Sequence, residues 1–532
     1  MADYSHMHRA ATAIGLTIVM GLLFGLTHPQ MGHSRQSLRW RARLRPMPAQ
    51  NDSDTPSQAK LPGAAGRLYH DTLSAWVKLI PGARSYSGLL VAFHAATGGL
   101  LAGLVALAAI RILREPPWLI VVATLVTMGS FGLWQASTDI GPTIMAICGC
   151  MAAFCLMLVD LEEPMGLRLA VAGAFWAMAA AVHGMAFWFL PVLVVFVLVS
   201  RPTVRPRRRR LGGLAVGAVL AVVGLYFYET KVGADVTGQL GFGGWLVRRL
   251  DLRQVPGVSD LGRSALGLGR SIVHGGLLWE RIRPGSPVAP FTKFVLLVPV
   301  ALVLGFMLRM AAAVPHAVRS AGRQDGRLAA VLVAWVVSAG AYAIVSDPAS
   351  PASWTMALVP GWLLMAFPLR RRKVSLQSGD GNRLLLGACG LLLVTVNVVY
   401  DILPRQRTKW AGDILPGGAL QAAVKPEDTI VVTPEEAALV VPWVDDNSVA
   451  VLPADGDQKA TVDFLLRCRE VLDGRGRLLY SQRASKVGGD AGRLLVALRR
   501  EAAPLDVVLP DPERDGPWSP MPVTRRRFYV VE

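Results

Sequence analysis

The sequence predicts an α-helical polytopic membrane protein of about eleven transmembrane helices with a C-terminal soluble α/β domain, and three observations carry that prediction. At 532 residues, 52% hydrophobic and only 17% charged, with a mean hydropathy of +0.41, the chain is too apolar for an ordinary soluble protein. Apolar runs approaching the ~20 residues that cross a bilayer recur from residue 11 to residue 403. Beyond 404 they give way to short β-type runs alternating with helical segments. The expected domains are therefore a polytopic membrane domain at 1–403, with long loops at 28–85 and 229–289, and an α/β domain at 404–532.

The candidate spans lie at 11–27, 86–110, 117–134, 140–159, 167–183, 185–200, 211–228, 290–312, 328–346, 352–368 and 383–403. The first follows a single basic residue, Arg9, and no small-x-small cleavage site follows it, so it is read as a retained helix, with an uncleaved signal-anchor as the near-equivalent alternative. The segment 167–200 is long for one helix and short for two, and His183-Gly184 is its only turn signal. Two helices make the charge alternation work. The tracts RPTVRPRRRR at 201–210 and RRRK at 370–373 belong in the cytoplasm, and Arg111, Arg114, Arg319, Arg323 and Arg327 fall on the same side. The opposite loops, 135–139, the turn at His183 and 347–351, contain no Lys or Arg. The N-terminus is then inside, and 28–85, 229–289 and the C-terminal domain are outside.

The 55 Lys+Arg against 37 Asp+Glu give a net charge of +18, which in a soluble protein raises the question of nucleic acid. Here the basic residues sit in connectors between apolar runs, with no interleaved aromatics to stack bases, and nucleic acid is excluded as a partner. Four of the five cysteines lie inside apolar runs, which is no disulfide framework. In the first long loop Arg35, Arg39, Arg41, Arg43 and Arg45 crowd onto the side that the positive-inside bias disfavours. Two readings stand: a segment hugging the headgroups, or one that binds a lipid phosphate.

Two loop stretches have helical amphipathic spacing. Tyr69, Leu73, Trp76, Val77 and Ile80 form one stripe, and Leu261, Ala265, Leu268 and Ile272 another, behind Ser259-Asp260 as a cap and with Arg263 and Arg270 on other faces. Both suit helices lying flat on a bilayer. In the tail, the runs at 429–432, 448–452, 477–481, 506–509 and 527–531 alternate with helical segments at 434–444, 458–474 and 486–501, which predicts helices on a mostly parallel sheet. No GxGxxG or phosphate loop follows the first strand, so nucleotide binding is not expected. The pairs Glu435-Glu436 and Asp445-Asp446 read as helix-start and turn residues.

Chemistry is expected in the outer loops. Asp52 and Asp54 form a D-S-D in a turn-rich stretch. One carboxylate there can take the proton of an acceptor hydroxyl, as general-base transfer requires, while solvated loop aspartates are the plain alternative. D-x-D can also hold a divalent metal, but three residues are a weak signal, no His/Cys/carboxylate cluster has metal spacing, and no metal or other cofactor is assigned. Asp139 follows Trp134-Gln135 at the end of a span, either capping the next helix or facing a site. His183 marks an apolar turn, a packing position as readily as a ligand. Lys231, Arg248 and Arg249 are basic groups beside the flexible GFGGW at 241–245, suited to headgroups or a donor phosphate.

A first helix, a long loop with an acid, an interfacial helix and a multi-span body resemble the GT-C class of membrane glycosyltransferases. More narrowly, residues 54–200 look like the protein O-mannosyltransferase-like branch, the DUF2723-type proteins. The matching pieces are Asp54, GRLYHDTL at 66–73 with Tyr69 and His70, Ser130 with Trp134 and Asp139, and His183 with Leu190-Pro191. The resemblance implies a bacterial cytoplasmic (inner) membrane enzyme that moves a sugar from a polyprenyl-phosphate-linked donor to an extracytoplasmic protein, lipid or envelope glycan, with inversion. Asp54, or else Asp52, is the implied base. Tyr69, His70, Asp139, His183, Arg248 and Arg249 are the implied substrate contacts. Membrane lipids are the remaining partners. The rival readings are a catalytically degenerate envelope-assembly subunit of the same fold and a transporter or flippase of a lipid-linked or anionic solute.

Overall fold

The computed structural model describes residues 2–27, 67–79, 86–113, 117–138, 141–162, 166–199, 222–227, 242–250, 260–273, 290–319, 323–369, 379–398, 424–433, 449–453, 458–474, 476–486, 489–498, 502–510 and 523–531, apart from 426, with 217, 219, 257, 436 and 440 besides. Its contacts divide the chain into two units, one of 1–28 with 50–401 and one of 29–49 with 402–532.

The first unit is helical. It begins with α1 (Ala2–Leu26), the short α2 (Arg67–Leu79) and α3 (Tyr86–Leu113). Then come α4 (Pro117–Gly129), α5 (Phe131–Thr138), α6 (Thr143–Glu162) and α7 (Gly166–Val182). A 3-10 turn at Gly184–Phe189 leads into α8 (Leu190–Val199). Two more short helices follow, α9 (Phe242–Arg249) and α10 (Asp260–Ile272). Four longer ones complete the unit: α11 (Pro290–Arg319), α12 (Arg323–Ser346), α13 (Pro351–Ala366) and α14 (Gly379–Asn397).

Four of these helices are long and apolar enough to cross a membrane, five if the bent pair α4–α5 is one span, and shorter apolar helices occupy Ala10–Leu26, Leu167–Val182, Gly184–Val199 and Leu386–Asn397. These helices coincide with most of the expected runs, several of which form helices shorter than a full span. The physical reason is that hydropathy counts apolar residues and not straight axis. The run read as one helix at 117–134 turns by 74° at Ser130, where a Gly-Ser pair sits. By contrast 167–200 is two helices, as its turn signal predicts, divided at His183, whose ring Nδ1 accepts from the Met185 N–H at 3.1 Å and caps the turn. The expected span at 211–228 lies largely outside the described residues.

Small residues set the tightest helix contact. In α3, Gly99 and Gly103 repeat at i, i+4 and face Thr17 and Gly21 of α1. A Cβ on Gly99 would lie 2.5 Å from the Thr17 carbonyl oxygen, a distance no backbone tolerates, so glycine is what lets the two helices touch. The end of α1 thereby meets the beginning of α3.

The second unit is built on a five-stranded sheet, β1 (Thr429–Val432), β2 (Val449–Val451), β3 (Leu478–Ser481), β4 (Ala503–Pro510) and β5 (Val523–Val531), in the order β2-β1-β3-β5-β4. β1 pairs parallel with β2 and β3, whereas β5 pairs antiparallel with β3 and β4. The sheet is therefore mixed and not mostly parallel: β4 and β5 follow one another with no helix between them among the described residues, and a strand returned without a crossover helix must run antiparallel. Helices α15 (Gln458–Asp473) and α16 (Gly489–Leu498) supply Phe464, Cys468 and Leu495 to a core with Val431, Leu478, Tyr480 and Val531. Glu436 lies three residues after Thr433, accepts from the Thr433 and Ser481 hydroxyls, and its own N–H donates to the Thr433 hydroxyl.

Candidate functional site at the loop end of the helical unit

The helix break at Gly129-Ser130 is bound by side chains of α13 and α14. The Asn397 amide, fully buried at the end of α14, donates to the Gly129 carbonyl at 2.8 Å and to the Ile272 carbonyl, the last residue of α10, at 2.9 Å. From α13 the Trp362 indole donates to the Ser130 hydroxyl at 2.7 Å. At the break the Gly129 carbonyl is thus met by a side chain of α14 and the Ser130 hydroxyl by one of α13, the condition for irregular backbone inside an apolar body.

Beyond the break, α5 carries Trp134. Its indole N–H donates to the Thr27 hydroxyl at 3.1 Å, and its ring stands edge-on to Phe24 with centroids 5.0 Å apart. The sequence landmark Ser130–Trp134 is therefore tied at one position to α13 and at the other to the end of α1. Asp139, the next residue after α5, lies outside the described residues, as do Asp52 and Asp54. Of the remaining sequence candidates, His70 lies on α2, and Arg248 and Arg249 close α9.

Tyr69 is fully buried, and its hydroxyl is 2.6 Å from Nε2 of the equally buried His94 on α3. Leu73 is buried on the same face, the Trp76 indole donates to the Leu89 carbonyl at 3.1 Å, and Asp71 is exposed, so the stripe Tyr69–Leu73–Trp76 docks α2 on α3. On the far side, Trp188 donates to the Leu250 carbonyl just after α9 at 3.4 Å, and Trp245 is buried beside Phe187 and Tyr226. His183 caps its turn and thereby sets where this 3-10 segment begins.

Helix α10 packs with its small polar face inward. Asp260, Ser264, Gly267, Ser271 and Ile272 are buried, whereas Leu261 and Leu268 are exposed, which turns the apolar stripe outward except at its last member. The contact is close: a Cβ on Gly267 would fall 2.1 Å from the Pro348 carbonyl, which itself accepts from the Trp354 indole at 2.9 Å. At its start, Asp260 accepts from the Gly257 N–H at 2.8 Å and pairs with Arg263 at 3.2 Å. Two turns after Arg263 comes Arg270, where partial burial lowers the guanidinium pKa from its ordinary value. A cation half-withdrawn from water at the end of an otherwise apolar body is suited to an anionic group that stays at an interface.

Sequence reasoning passed over His94 and Asn397. Both stand inside apolar runs, VAFHAATGG and LLVTVNVVY, and a lone polar residue within a spanning segment was the available signal. Their partners are not readable from the sequence, because Asn397 reaches residues 268 and 125 positions away. Among the described residues no group of three His, Cys, Asp or Glu is arranged to hold a metal ion.

These features define a helical membrane protein whose loop end is closed by short amphipathic helices. No protein-family model and no curated protein matches the sequence. Among solved structures, the fold is similar to that of ArnT from Cupriavidus metallidurans bound to undecaprenyl phosphate, with a TM-score of 0.54 and 12% identity over 97% of each chain. A weaker likeness, at a TM-score of 0.41 and 12% identity, joins 90% of this chain to 70% of the Archaeoglobus fulgidus oligosaccharyltransferase in the apo form. The first likeness shows a shared fold.

Proposed function

We propose that the protein is a membrane glycosyltransferase that moves a sugar, with inversion, from a polyprenyl-phosphate-linked donor to an extracytoplasmic acceptor. The observation that carries this reading is the fold likeness over 97% of the chain to a structure holding undecaprenyl phosphate. The narrower resemblance to the O-mannosyltransferase-like branch rests on residues 54–200 and points to a hexose. In this reading the loop end faces away from the cytoplasm of a bacterial inner membrane, as the Lys/Arg asymmetry requires. Asp54, with Asp52 as its substitute, takes the proton of the acceptor hydroxyl as that oxygen attacks the anomeric carbon. The lipid phosphate departs with the bonding electrons, and Arg270, with Arg248 and Arg249, answers the charge that develops on it. Asp139 and His70 orient the reacting groups. A transporter would call for an open, broken helix at its centre. Here the break at Ser130 is plugged by Trp362 and Asn397, which favours the enzyme.

The test is sugar transfer from an undecaprenyl-phosphate-linked hexose in proteoliposomes. Asp54→Asn is expected to lower the turnover by about 10²–10⁴, the usual worth of a positioned general base. Full activity in both Asp54→Asn and Asp52→Asn removes the proposed base. Lys60→Cys should react with an impermeant thiol reagent in intact cells, and reaction only after permeabilisation overturns the orientation.

A further inference from the structure

We infer that His94 is a positioning residue that holds the interfacial helix α2 and the segment entering α6 in one fixed relation; its catalytic consequence rests on the transferase reading above. The geometry fixes its tautomer. Nδ1 lies 2.6 Å from the Leu90 carbonyl, which can only accept, so Nδ1 carries the proton. Nε2 is then an acceptor. It faces the Tyr69 hydroxyl of α2 at 2.6 Å and the Gly141 N–H, just ahead of α6, at 3.3 Å. One neutral ring, itself fixed to the backbone of α3, thus receives a donor from each of two segments 72 residues apart, Tyr69 and Gly141.

The placement matters because of what adjoins those segments in the chain. The loop with Asp52 and Asp54 leads into α2, and Asp139 stands between Thr138, the last residue of α5, and Gly141. Thr138 is held in turn by its hydroxyl on the Trp134 carbonyl at 3.0 Å. The ring is wholly buried between Tyr69 and Phe93, so it acts through the backbone that it holds and not on substrate. Tyr69 belongs to the same device through its hydroxyl on His94.

The experiment compares His94→Leu, His94→Gln and Tyr69→Phe in the full-length protein by hydrogen exchange and by transfer kinetics. Glutamine offers a carbonyl near the position of Nε2, whereas leucine offers nothing. His94→Leu is expected to speed exchange in both 67–79 and 141–146 and to lower kcat about tenfold, since a small misplacement of reacting groups costs that much or more, with the KM for the lipid donor unchanged. His94→Gln restores protection and most of kcat. If His94→Leu does not fold, Tyr69→Phe carries the test, with faster exchange in 67–79 and reduced kcat. Unchanged exchange in folded His94→Leu and Tyr69→Phe overturns the inference. So does a kcat per folded molecule equal to wild type in a wild type that transfers sugar. Responsive exchange in a wild type that transfers no sugar leaves the positioning intact and removes the transferase reading alone.

Discussion

Asn397 shows how much of this protein rests on single polar side chains in apolar surroundings. Its amide group satisfies two carbonyls, Gly129 and Ile272, that have lost their helical partners to a break and to a helix end. Carbonyls accept and never donate, so only a donor serves at this position. Asn397→Asp, although isosteric, should therefore destabilise the protein at least as much as Asn397→Leu, by about 1–3 kcal/mol for the buried acceptors left unmet. Thermal unfolding in detergent measures this, and an Asn397→Asp variant as stable as wild type would show that the two bonds contribute nothing. The same logic makes Trp362→Phe, which keeps the ring and loses the indole N–H to Ser130, milder, at about 1 kcal/mol.

At the scale of elements, the α1–α3 seam and the α4–α5 break are set by opposite uses of glycine. Gly99 permits close contact, and the Gly129-Ser130 pair permits a bend. Gly99→Ala puts a methyl group against the Thr17 carbonyl and the Gly21 backbone, atoms that move only with their helix, and should cost about 1–3 kcal/mol. Gly173→Ala in α7 is the matched control, because nothing lies within 4 Å of its added Cβ, and helix propensity favours it by up to about 1 kcal/mol. The two variants should move the melting temperature in opposite directions, and equal shifts would mean that α1 and α3 are not in contact through Gly99. The amphipathic helices α2 and α10 were legible from spacing alone. Which face each buries was not: α2 hides its aromatic stripe, whereas α10 hides serines and glycine and shows its leucines. Spacing defines two faces and cannot say which neighbour is drier.

At the scale of the whole molecule, the two units answer to different physics. The helical unit depends on apolar packing and buried amides, and the sheet unit contains a buried ion pair, Asp428 with Arg477, joined through Nη2 at 2.7 Å and through Nε at 3.2 Å. Burial pushes the Asp428 carboxyl upward, but the Arg477 guanidinium and the Lys425 and Arg477 N–H groups outweigh it and hold the pKa below its ordinary value. The stability this gives is fully present above about pH 4, the unfolded carboxylate value, and is lost as the pH falls through the lower folded value. The sheet and the helices packed on it share one core. Hydrogen-exchange protection of 429–432 and 478–481 in the full-length protein should be lost only below about pH 4. In Arg477→Gln the transition should move to higher pH, with a loss of about 2–3 kcal/mol at neutral pH, less than for a fully buried pair because water reaches the arginine. A transition at the same pH in both proteins would remove the pair from the account.

The sequence by itself determined the membrane class, the two short amphipathic helices and the strand positions of the tail, because each follows from composition or from a local period. Only the tertiary structure decided that 117–138 is broken, that α10 turns its leucines outward, and that His94 and Asn397 are junctions. Those outcomes depend on hydrogen-bond donors meeting acceptors from elsewhere in the chain, Asn397 across 268 residues and His94 across 47. A local pattern shows that a polar group must find a partner in an apolar interior; the packing of the whole chain selects which one.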